Sequence, residues 1–136
     1  MGGSAFSASL PAVAFPRIPP TVYAALKARL FPKLLELYTY VGVPTEAPDK
    51  NDHGDLDFLV AIPKAPYTDR VPHDLVKDAI GAEHLIPMDG NRTSNYAILV
   101  QLGEWESFGH GGDEHQRRIS AEIQQIYYQV RAMQYL

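Results

Sequence analysis

Asp49-Lys50-Asn51-Asp52-His53-Gly54-Asp55-Leu56-Asp57-Phe58-Leu59-Val60-Ala61-Ile62 runs from a polar turn directly into an apolar strand with two carboxylates at its mouth. Strand side chains alternate between faces, so Asp55 and Asp57 project to one side while Leu56, Phe58, Val60 and Ile62 project to the other. Two carboxylates that close repel one another and are stable at neutral pH chiefly when a divalent metal, a Lys or an Arg lies between them. Oxygen ligands at this density suit magnesium or manganese. Asp at the start of a strand also caps turns, and Asp-x-Asp alone is a short pattern that arises by chance. The context here is more specific. Gly54 before the first Asp allows the backbone to approach a phosphate or to take a positive φ, and Asp57 lies inside the strand pattern, where an acid is costly unless paired or metal-bound.

Outward from this stretch the chain alternates helix and strand. Val22, Leu26, Leu30, Leu34 and Leu37 recur at helical spacing after Pro19-Pro20-Thr21, which predicts an amphipathic core helix with a kink or split near Ala28 to Phe31, because Pro32 lacks a backbone donor. Tyr38 to Val43 is β-prone and pairs most simply with the strand at 55 to 62. His73 to Ile80 reads as a short helix stopped by Gly81. Residues 83 to 88 and 96 to 102 read as a hairpin around the turn Asp89 to Ser94, and Ile126 to Val130 as a last strand. Residues 1 to 20, rich in Gly, Ser, Ala and Pro, read as an extended arm, and 21 to 136 as one domain. The fold class expected is α/β (α+β), a mixed sheet with helices on one side.

The run Lys50-x-x-His53-Gly54-Asp55-Leu56-Asp57-Phe58-Leu59-Val60 resembles the Asp-x-Asp strand of the polymerase-beta-type nucleotidyltransferase superfamily. It has the variant form in which Lys and Gly-Asp-hydrophobic-Asp replace the usual preamble. The chain as a whole resembles the N-terminal part of fungal proteins of that type. The resemblance implies that Asp55 and Asp57 are catalytic and bind two metal ions, Mg2+ or Mn2+. Those ions would hold a nucleoside triphosphate and activate the hydroxyl of an acceptor the sequence does not name. It also implies a third carboxylate on a neighbouring strand. That strand is the last one, and the position expected for the acid, residue 131, is Arg; no Asp or Glu follows Glu122. An Arg between the aspartates would replace the metal's charge by a salt bridge, keeping the fold and abolishing two-metal chemistry. Alternatively Arg131 to Leu136 is the tail of a longer protein, or Glu104, Glu106 or Glu122 supplies the acid. Two readings therefore stand: nucleotidyl transfer, or a degenerate or truncated copy that binds nucleotide or protein.

Further nucleotide-binding candidates are Lys50, as a point charge beside the carboxylates, and Gly54, through its backbone. Arg92 and Ser94 in the hairpin turn are candidates for base, ribose or phosphate contact. Lys50 reads equally as a solvated turn residue and the hairpin turn as an ordinary loop; His53 reads as a turn residue rather than a ligand. His110 and His115 among acids could bind zinc, but nothing in the sequence fixes them on a framework. With 46% hydrophobic and 21% charged residues over 136 residues, the composition is that of a folding domain. Net charge −4 argues against a nonspecific nucleic-acid binder, and the lack of Cys excludes disulfides and thiolate chemistry. No run is long enough for a membrane span, and the expected setting is intracellular, in the cytoplasm.

Overall fold

The computed structural model describes residues 6, 8, 10, 14–44, 52–88, 92–100 and 126–135. Their order is α1 (Pro20–Leu35), β1 (Tyr38–Gly42), β2 (Leu56–Pro63), α2 (His73–Ile80), β3 (His84–Pro87), β4 (Thr93–Leu99) and β5 (Tyr127–Tyr135). The strands form one mixed five-stranded sheet in the order β1-β2-β5-β4-β3, and the fold is α+β. Among the described strands β2 and β5 pair parallel, and β1–β2, β3–β4 and β4–β5 pair antiparallel.

Both helices lie on one face because their apolar stripes match the apolar positions of the strands. α1 buries Val22, Tyr23, Leu26, Leu30 and Leu34, and α2 buries Val76 and Ile80. They meet Leu56, Phe58 and Val60 of β2, Tyr96 and Ile98 of β4, and Tyr128, Val130 and Ala132 of β5 in one core. Pro at the first helical position suits α1. Of the kink or split expected at Pro32, the split does not occur: α1 runs through it to Leu35. Ala28 and Pro32 are both exposed, so the Ala28 carbonyl that loses its donor lies on the water side, where that loss costs least. α2 ends as its sequence predicts, with Gly81 left-handed at φ 73° and its N–H donating to the Asp78 carbonyl.

Two elements depart from the expected bounds. β5 continues through Arg131 to Tyr135 instead of ending near Val130, and it is central, with neighbours on both sides. β4 begins at Thr93, so Ser94 belongs to the strand rather than the turn. β2 ends in a distortion. Tyr38 pairs with Pro63 and Tyr40 with Ala61, while Ile62 takes φ 59°, a left-handed conformation that costs a side-chain-bearing residue about 1–2 kcal/mol. Strict alternation is lost there: Tyr38 and Val41 are buried, whereas Thr39 and Tyr40 between them are exposed.

The opposite face of the sheet carries a second, smaller apolar cluster. Phe6, Ala14 and Phe15 pack on Ala97 and Tyr127, with Phe6 stacked on Phe15 at 5.5 Å. Among the described residues no helix is long and apolar enough to cross a membrane.

Candidate functional site

β2 places its acids where period-2 alternation requires. Leu56, Phe58 and Val60 are fully buried under the helices, and Asp57 turns to the other face with its side chain 25% exposed. Asp55 immediately precedes the strand on the same parity and is half-buried. The parallel register sets Asp57 directly opposite Arg131 of β5. The guanidinium closes on the carboxylate fork to fork, Nε donating to Oδ1 at 3.1 Å and Nη2 to Oδ2 at 2.8 Å. Both Asp57 oxygens are therefore engaged. This is the bidentate geometry for which Arg is better suited than Lys.

The charge of the pair is shared locally. Hydrogen bonding to Asp57 holds the Arg131 guanidinium above its already high ordinary range; burial opposes this, and the charges of Asp57 and then Asp55 add to it. Asp55 is thus close enough for Arg131 to feel both carboxylates. Between two aspartates and one arginine the local formal charge is −1, where a bare Asp-x-Asp would carry −2.

On the same face Asn95 of β4 stands opposite Arg131 across the antiparallel ladder. Gln129, two residues before Arg131, donates from Nε2 to Asn95 Oδ1 at 3.3 Å. Asp57, Arg131 and Asn95 form one polar row across the three central strands, with Gln129 beside it. Asn95 and Gln129 are 4% and 3% exposed, where apolar side chains would be the cheaper choice. Sequence reasoning missed both. The available signal was Gln129 inside the otherwise apolar run Ile126-Tyr127-Tyr128-Gln129-Val130; Asn95 follows the polar Thr93-Ser94 and carried none.

The remaining candidates separate. Gly54 is buried next to Asp55, but among the described residues Gly81 is the glycine that holds positive φ. His53 is 5% exposed, paired through its backbone with Ile18 and stacked on Tyr23 at 3.7 Å, which makes it a packing residue of the segment entering β2. Ser94 lies opposite Ala132 on the helix side of the sheet, fully buried and on the other face from Asp57. Arg92 is exposed at the start of β4, its carbonyl accepting from the Gln134 amide at 2.8 Å, further along β5 than Arg131. Lys50, His110, His115, Glu104, Glu106 and Glu122 lie outside the described residues. Among those described, no group of three or more His, Asp or Glu is placed to hold a metal ion.

The arrangement can therefore neutralise Asp57 internally, with Asp55 half-buried beside it on the same parity. No protein-family model matches the chain, and no curated protein matches its sequence.

Proposed function

We propose that this chain is a catalytically degenerate nucleotidyltransferase-like domain, in which Arg131 takes by charge the place a divalent cation would hold between Asp55 and Asp57. In this reading the domain serves as a nucleotide- or protein-binding module and does not transfer nucleotides. The observation that carries it is the two-point hydrogen bond between Arg131 and Asp57 on directly opposed residues of paired strands. A two-metal centre needs bridging carboxylate oxygens, and here the opposed position supplies a cation while both oxygens of Asp57 are already occupied. The donor set suits a guanidinium better than a pair of divalent ions.

A second reading, transfer from a magnesium or manganese nucleoside triphosphate through Asp55 and Asp57, draws support from the partial exposure of the pair. The Arg131 side chain is 33% exposed and Asp57 25%, so the ion pair is not sealed from solvent. The experiment that separates the readings measures transfer of label from an α-labelled triphosphate with Mn2+ present. The degenerate domain gives none with wild type, whereas transfer that disappears in Asp57→Ala would establish the enzyme.

A further inference from the structure

β1 is an outer strand, and among the described residues nothing pairs with its second side. Alternate residues of such an edge turn N–H and C=O outward, and proteins commonly blunt it with Lys, Pro or a charge. Tyr38-Thr39-Tyr40-Val41-Gly42 carries none of these.

The edge adjoins a groove. The flank of α1 and the residue after β1 border an open, shallow groove of about 400 Å³, lined by Lys27, Ala28, Phe31, Pro32 and Val43. That volume is enough for a side chain and falls in the range of ligand pockets. Its walls are mostly apolar, with one cation. Lys27 Nζ stands 5.8 Å from the centre of the Tyr23 ring and has no carboxylate partner among the described residues. On the other face of the strand, Tyr40 is 56% exposed and lies over Gly42, where a Cβ would come within 2.9 Å of the phenol oxygen. Ile62, on the neighbouring end of β2, is 59% exposed.

We propose that β1 and this groove form a docking site for an extended acidic-apolar segment of a partner protein, which adds to the sheet as a further strand. Main-chain hydrogen bonds to β1 hold the segment, one apolar side chain enters between Phe31, Pro32 and Val43, and a carboxylate on the same face meets Lys27. Strand addition of this kind takes its affinity from the backbone and its selectivity from pockets that read alternate side chains. Charge complementarity sets the occupant. A lysine in an apolar groove selects a carboxylate, and a second copy pairing through β1 brings none, because β1 contains no acid. β1 pairs with the strand that carries Asp57, but the inference uses neither Asp57 nor Arg131 and stands whatever that pair does.

The test presents the full chain to a display library of random heptapeptides, followed by fluorescence polarisation with the labelled consensus peptide. The expected consensus places Asp or Glu two residues from an aliphatic or aromatic residue. Its affinity falls at least tenfold in Lys27→Glu and is kept in Lys27→Arg, and N-methylation of alternate peptide amides abolishes binding. Lys27 is half-buried at the groove wall, so thermal melts establish that both variants are folded before affinities are compared. No enrichment over bare support, a consensus without a carboxylate, or affinity unchanged in Lys27→Glu would overturn the proposal. So would concentration-dependent dimerisation in sedimentation that Tyr40→Lys removes, because the edge would then belong to a second copy.

Discussion

Adjacent residues of β2 face opposite worlds. Phe58 is fully buried beneath α1 and α2, while Asp57, one residue earlier, looks to the other side of the sheet and is held by Arg131. On the helix side stability comes from area removed from water, which is non-directional and tolerant of small shifts. On the other side Asp57, Arg131, Asn95 and Gln129 depend on direction and register, and contribute little net energy for the precision they require. The helix side makes the fold stable. The polar row is where the chain gives up cheap burial for a specific arrangement, and that is why the functional reading rests there.

Deleting the helix-side member of this contrast has the largest effect. Phe58→Ala is expected to cost about 3–5 kcal/mol in urea unfolding, the range for a large aromatic removed from a core that cannot collapse. The same face carries buried phenols that give it an alkaline limit. Burial foremost raises the Tyr38 and Tyr96 hydroxyls well above the usual phenol range. Because their folded values exceed the unfolded one near 10, the stability they contribute is complete below about pH 10 and is lost as pH rises further, by up to about 1.4 kcal/mol per pH unit for each. Tyr96→Phe should flatten that decline in melts taken between pH 9 and 12.

Smaller effects belong to the ion pair. Arg131→Met leaves Asp57 without its partner and should cost about 1–2 kcal/mol, less than for a fully buried pair because both side chains keep some access to water. Adding Asp57→Leu to it should restore stability to within about 1 kcal/mol of wild type, since two apolar groups leave no charge stranded. A second Arg–Asp pair calibrates this one. Arg17 reaches a single Asp52 oxygen, with Nε at 3.2 Å and Nη2 at 2.9 Å, and its side chains are about half exposed. Arg17→Ala should cost roughly 0.5 kcal/mol, and that loss should vanish in high salt. Equal costs for the Arg17 and Arg131 changes would erase the distinction drawn between the two pairs.

Much of the fold was legible because its signals are local. The Leu stripe of α1, the Gly81 stop of α2, and the alternation from Leu56 to Val60 each lie within one element. The extent of β5 was not. Arg131-Ala132-Met133-Gln134 shows no strong β pattern, and its strand state is imposed by pairing with β2 and β4, which are distant in sequence. Ser94 read as a turn residue for the same reason: the composition of Asp89 to Ser94 is turn-like, but burial of Ser94 against the helices governs. At the site, Arg131 stands out in the sequence as a cation at the position where the family resemblance implies a carboxylate. Its contact with Asp57, and the meeting of Asn95 with Gln129 beside it, depend on register between strands, which no local pattern encodes.

The central claim, that Arg131 stands where a cation would, is tested most directly by melting wild type and Arg131→Asp over a titration of Mn2+. The account predicts a wild-type midpoint that does not move with metal. It also predicts an Arg131→Asp midpoint that starts lower, since three carboxylates then crowd one another, and rises with metal concentration as binding to the folded state requires. A wild-type midpoint that climbs with Mn2+ and stops climbing in Asp57→Ala would contradict it.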